Sequence, residues 1–177
     1  MKIFSFLFLS LFCLPVAIAT SAEGKVACPK FRSVREVVDT AMKAELMGLR
    51  LKSDTMDKFS QCIETDNVNA WDTMIVVSDF TLSHCKSSEA SCVLVKYTPL
   101  ANMGSDFVIK PIKLEMGVSK SFEVKAIQVS KIWKLSGFID LPPLVTSKSM
   151  VEFLEERQNE LPKNKALRAA IERLKKL

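Results

Sequence analysis

The sequence predicts an α+β domain, and three observations predict it. A capping box at Ser33 opens a stretch whose apolar residues recur at three and four; between Trp71 and Phe138 the apolar period falls to two; beyond Pro142-Pro143 a second capping box restores a helical pattern. Helix, then strands, then helices is the order of an α+β fold, whereas strands alternating with helices would predict a parallel sheet. The 177 residues, 48% of them hydrophobic, supply one core, and five glycines, seven prolines and 25% charged residues exclude collagen-like, low-complexity and disordered chains.

Residues 1–19 carry a signal-peptide pattern. Met1-Lys2 precedes an apolar run from Ile3 to Ala19, and the small residues Ala17 and Ala19 fit a peptidase groove, with cleavage before Thr20 and a cut after Ala22 as second choice. A run of about 17 apolar residues is at the lower limit for a span, and no basic stop-transfer cluster follows it. Phe12 stands where a small residue should precede a lipidated cysteine, which argues against lipidation at Cys13. The expected organisation is a leader over 1–19, an α+β domain over 20–143 and a helical extension over 144–177, in a protein exported to the periplasm or the extracellular medium.

Removing the leader leaves Cys28, Cys62, Cys85 and Cys92, an even number in an oxidising compartment. Four cysteines allow three pairings. Cys85 and Cys92 enclose a polar, Ser-rich segment between two strand-like runs, so a hairpin brings them together. Cys28 precedes a helix of roughly 28 Å, and the residues from Lys52 to Cys62 can span the return. Cys28–Cys62 and Cys85–Cys92 are therefore the expected bridges, worth at most about 4 and about 2.5 kcal/mol in a loop-entropy model. The chain has no Cys-x-x-Cys pair of the kind that redox catalysts and structural zinc sites use, so no metal is expected.

The first helix is expected from Ser33 to near Leu51. The Ser33 hydroxyl is placed to bond the Glu36 amide, the Glu36 carboxylate to bond the Ser33 amide, and Val34, Val37, Val38, Ala41, Met42 and Leu46 to form one apolar face. A short helical turn follows over Asp57–Ile63. The first strand puts Met74, Val76, Phe80 and Leu82 on one face and Asp79, Thr81 and Ser83 on the other. Cys92–Thr98 is the second strand, Phe107–Met116 the third, with Pro111 marking an edge or bulge, and Phe122–Val129 and Ile132–Phe138 complete four or five strands. Within Phe122–Val129 the apolar phase shifts at Ile127, which a bulge or burial of both faces would explain. After Pro143, Ser149 and Glu152 form the second capping box. Val151, Leu154, Gln158 and Leu161 give a mixed face up to Pro162, and from Asn164 a last helix carries Leu167, Ala170, Ile171, Leu174 and Leu177 on one side.

The run Val124-Lys125-Ala126-Ile127-Gln128-Val129-Ser130-Lys131-Ile132-Trp133-Lys134-Leu135-Ser136-Gly137-Phe138 resembles the last two strands of nuclear transport factor 2-like proteins, above all from Trp133 to Phe138. The likeness extends over residues 33–140. It implies an N-terminal helix packed on a curved antiparallel sheet, with the helical segment after Pro143 as an addition. It also implies that one face of the sheet can form a pocket, where His84, Tyr97 and Trp133 would stand.

His84 is the single histidine, in register with Phe80 and Leu82 one residue before Cys85, and no nucleophile or acid partner can be named beside it. Catalysis is therefore not expected, and no cofactor is implied. The eight methionines are dispersed, as core filling requires, and the acids between Asp54 and Asp72 lack the spacing and glycine of a calcium loop. Charge is more informative. Residues 161–177 set Lys163, Lys165, Arg168, Arg173, Lys175 and Lys176 against Glu172, a net of +5, while residues 20–160 sum to −1. A basic amphipathic helix suits an acidic protein partner, an anionic membrane surface or simple packing on the core. Nucleic acid is not expected, because no aromatic residues interleave with these bases. The sequence thus points to an exported, non-enzymatic accessory protein that engages another protein, as in an envelope or secretion assembly. Lys165, Leu167, Arg168, Ile171, Leu174 and Lys175 are the candidate contact residues, and the apolar stripe also allows self-association. A ligand-binding or enzymatic pocket near His84, Tyr97 and Trp133 is the alternative.

Overall fold

A computed structural model describes residues 30–60, 63–65, 72–85, 90–112, 119–130, 132–137 and 142–177. The proposed leader, Cys28 and Cys62 lie outside these residues. The first helix, α1, spans Val34–Leu46, and Ser33 caps it by accepting the Glu36 amide at 3.2 Å. The reciprocal half of the box is shifted by one residue: the Glu36 carboxylate accepts the Arg32 amide at 2.6 Å rather than that of Ser33. The helix ends before the expected Leu51, because Gly48 takes φ +89, a left-handed conformation natural to glycine, and a 3-10 turn over Leu49–Leu51 follows. A second helix, α2, covers Ser53–Ser60. Since α1 begins at Val34, it is an internal element and not the N-terminal helix expected.

The sheet is larger than four or five strands and is mixed. Seven strands are described: β1 Ile63–Thr65, β2 Thr73–His84, β3 Cys92–Gly104, β4 Ile109–Pro111, β5 Lys120–Val129, β6 Ile132–Ser136 and β7 Leu144–Thr146. Their order is β1-β6-β5-β3-β2-β7, with β4 paired to β3, and the sheet curls into a half-barrel. The central pairs are antiparallel as expected. The additional strands β1 and β7 add in parallel, to β6 and β2 respectively, and at three residues each they are too short to show an alternating pattern in sequence. Pro111 ends β4, where its missing donor costs the ladder nothing.

Two offset bulges set the layers. Val76 pairs with Ala101 and Val77 with Pro99, so β3 carries one extra residue; Val77 pairs with Pro99 and Phe80 with Tyr97, so β2 then carries one. The expected single face of Met74, Val76, Phe80 and Leu82 is therefore split. Phe80 and Leu82 pack with α1, while Met74 and Val76 pack on the opposite side. The same slip lets Val93, Val95 and Tyr97 face α1 and Ala101 and Met103 face the other way, with no break in the every-second-residue burial of β3.

That opposite side is covered by α3 (Ser147–Glu160) and α4 (Lys165–Leu174). Helix α3 begins earlier than the box at Ser149 predicts, because the Thr146 side chain accepts the Ser149 amide at 3.1 Å and is the true cap. Asn164 caps α4 through the Leu167 amide at 3.1 Å, as the sequence indicates. Met150 and Leu154 with Leu167, Ala170, Ile171 and Leu174 close a second core on Val76, Ala101, Met103, Ile109 and Val145. Ile75, Val76 and Val77 are buried in succession because this part of the sheet lies between α1 and the α3–α4 layer. No described helix is long and apolar enough to cross a membrane.

The phase shift in β5 has neither expected cause. Its register with β6 is regular from Lys125 opposite Ser136 to Val129 opposite Ile132, and Ile127 and Val129 are 54% and 42% exposed. The shift marks an apolar outer patch at the hairpin, completed by Ile132.

Candidate functional site

Cys85 and Cys92 form the disulfide that their spacing predicts, with Cα atoms 5.8 Å apart at the turn end of the β2–β3 pair, next to His84 and Val93. The bridge fits an oxidising compartment. The proposed Cys28–Cys62 bridge lies outside the described residues. A Glu123 carboxylate oxygen lies within 4.8 Å of both sulfurs, but these are bonded to each other and offer no thiolates to a metal. Replacing both Cys85 and Cys92 by alanine is expected to lower stability by about 2.5 kcal/mol, the loop-entropy value for so short a ring. Urea unfolding monitored by tryptophan fluorescence checks this, and an unchanged midpoint would contradict it.

The three side chains of the pocket reading share the α1 side of the sheet but are spread along it. His84 is exposed at the end of β2 opposite Val93. Tyr97 is buried opposite Phe80, four residues and about 13 Å of strand from His84. Trp133 is half-buried on β6 opposite Gln128; Tyr97 pairs with Lys120, so about 26 Å of β5 separates the two positions. The Tyr97 ring meets Phe122 edge-on at 6.0 Å, and burial raises its phenol above the ordinary value, so it stays protonated as a core residue. The structure does not bring His84, Tyr97 and Trp133 together.

The candidate contact residues at the C-terminus divide by face. Leu167, Ile171 and Leu174 are at most 3% exposed and belong to the second core, so they are closed to a partner while α4 is docked. Lys165 and Arg168 are exposed, and the Arg168 guanidinium donates to the Pro162 carbonyl. Lys175 bonds Glu155 of α3 at 3.0 Å, and this hydrogen bond raises its ammonium above the usual lysine value. All six bases of residues 161–177 are exposed, so the positive charge concentrates on the outward side of α4.

Among the described residues, two clefts border this helix. One of about 490 Å³, between α3 and α4, is lined by Lys148, Val151, Glu152, Glu155, Leu174 and Lys175 among others, and its lysines face its own glutamates. It has no net preference for a charged ligand. The other, about 210 Å³, runs between α4 and the turn into β4, with Phe107, Val108 and Ile109 on one wall and Ala166, Ala169, Ala170 and Arg173 on the other. Arg173 Nη1 donates to the Ile109 carbonyl at 3.4 Å, and the Asp106 carboxylate accepts the Val108 amide at 3.0 Å, so both walls are tied in place. Sequence reasoning missed this cleft and the Ile127–Val129–Ile132 patch. The only signal for the cleft was the pair Ala166 and Ala169, small residues on a side of the helix away from its apolar stripe. No protein-family model, curated protein or solved structure matches this chain.

Proposed function

We propose that this chain is an exported, non-enzymatic accessory protein that engages another protein, in an envelope or secretion assembly, through the basic outward face of α4. One observation carries the reading: α4 buries Leu167, Ala170, Ile171 and Leu174 in the core, with Leu177 past its end 49% exposed, and leaves Lys165, Arg168 and Arg173, with Lys176 just beyond the helix, exposed on the outward side. A fixed array of like charges steers an acidic surface and sets its orientation at low ordering cost. Export is supported by the leader-like run of residues 1–19 and by the Cys85–Cys92 bridge. The resemblance to nuclear transport factor 2-like proteins stays part of the proposal, supported by α1 lying on the antiparallel β2–β3–β5–β6 part of the sheet.

The test is charge reversal, Lys165→Glu with Arg168→Glu and Lys176→Glu, in the full chain. Proteins cross-linked to the wild type in the producing cell's exported fraction are identified, and their affinity for both forms is measured. The variant should bind at least tenfold more weakly, with a shallower salt dependence, at an unchanged melting temperature. Equal affinity for both forms would remove α4 as the docking face.

A further inference from the structure

The cleft beside α4 has features that narrow the partner's chemistry. Its volume of about 210 Å³ is below the usual range for a small-molecule site, about 300–1,000 Å³, and suits a single apolar side chain. The walls are aliphatic and aromatic, and Val108, 39% exposed at the edge, extends the apolar surface outward. Phe107 is held at φ 60, uncommon for a bulky residue, by a turn in which its amide donates to Gly104 and Asp106 accepts from Val108. The wall is therefore formed before any ligand arrives.

The charges bracket the cleft at regular intervals. On a helix, positions four apart stack on one side, so Lys165, Ala169 and Arg173 form a row with the alanine between two bases, and Lys176 continues it three residues on. Lys165 and Arg173 are eight residues apart, about 12 Å along the axis. An extended peptide advances about 3.3 Å per residue, so carboxylates two residues before and two after a central side chain are about 13 Å apart. The two spacings coincide. Glu172 precedes Arg173 on the same helix, and the Asp106 carboxylate at the far wall is already engaged by the Val108 amide.

Resting on the reading of α4 as the docking face, we infer that the cleft between α4 and the Phe107–Ile109 turn seats one large apolar side chain of an acidic, extended partner segment, with a carboxylate two residues to either side meeting Lys165 and Arg173. The pattern is Glu-x-Leu-x-Glu. The apolar residue gives position and the acids give register, since complementary charges on either side of a seated side chain fix the segment's alignment and disfavour segments without them.

The probe is a fluorescein-labelled synthetic peptide, Gly-Glu-Ser-Leu-Ser-Glu-Gly, titrated into the full chain by anisotropy and by amide chemical-shift mapping. Expected are a dissociation constant below about 1 mM, shifts confined to 107–109 and 165–176, and at least tenfold weakening when the peptide's leucine becomes serine or its glutamates become glutamine. Ala169→Trp, which fills an exposed part of the cleft, and Lys165→Glu, which lies outside its lining and leaves it open, should each weaken binding tenfold with an unchanged far-ultraviolet circular dichroism spectrum. Shifts elsewhere, indifference to the leucine, or equal affinity for the Ala169→Trp protein would overturn the inference. So would tighter binding of phosphatidylglycerol vesicles than of the peptide through the same residues. If the triple charge reversal abolishes partner binding while Ala169→Trp preserves it, the cleft inference fails and the docking face stands; if charge reversal has no effect, both fail.

Discussion

Replacing Arg50 by alanine is expected to destabilise the fold by about 3–5 kcal/mol, a large part of the roughly 5–15 kcal/mol that holds an ordinary domain together. The Glu45 and Arg50 side chains are 1% and 3% exposed, where the end of α1 and the 3-10 turn meet β7. One carboxylate oxygen of Glu45 accepts Arg50 Nε at 2.8 Å and Nη2 at 2.5 Å, and also the Leu144 amide at 2.9 Å. Removing the guanidinium leaves a buried anion facing one neutral donor. The other oxygen has no partner among the described residues, so nothing on that side compensates. The pair is therefore costly to break while adding little net stability when whole. That distinction is testable: Glu45→Gln with Arg50→Met keeps an acceptor for Leu144 and removes both charges, and should cost less than Arg50→Ala alone. Urea midpoints at constant slope decide it, and a loss under about 1 kcal/mol for Arg50→Ala would show that the site is not dry.

The same cluster shows why part of the fold was legible in sequence and part was not. Helix α1 announces itself because its cap and its apolar period are local, and the Cys85–Cys92 pairing because a short polar segment between strands permits one geometry. Glu45 carries no such mark. It lies within a helical pattern that predicts an exposed glutamate, and only the later arrival of β7 buries it. The reversal of faces in β2 and β3 is hidden for a related reason. Alternation in sequence records that every second residue of β3 is buried but not which layer covers it, so α1 over Tyr97 and α3–α4 over Met103 give one unbroken pattern. The stripe on α4 is equally ambiguous, since Leu167, Ile171 and Leu174 would be spaced alike for a partner or for the chain's own core.

Deleting residues 163–177 is for that reason expected to unfold the α3–α4 side of the molecule, although a basic tail would conventionally be removed to test binding. Leu167, Ile171 and Leu174 are buried in full, and at about 1.5–3 kcal/mol each their loss amounts to about 5–9 kcal/mol. Val76, Ala101, Met103, Ile109 and Leu154 would in addition be uncovered. The loss is comparable to the stability of a whole domain. The truncated chain should bind a hydrophobic dye, lose near-ultraviolet dichroism and melt without cooperativity. Leu167→Ala alone should cost about 2–5 kcal/mol, whereas each charge reversal on the outward face should stay within about 0.5 kcal/mol. A chain ending at residue 162 that still melted cooperatively near the wild-type temperature would show the second core to be dispensable. Only then could loss of a partner on truncation be assigned to lost contacts; if the core is required, substitutions at Lys165, Arg168, Arg173 and Lys176 are the ones that separate recognition from folding.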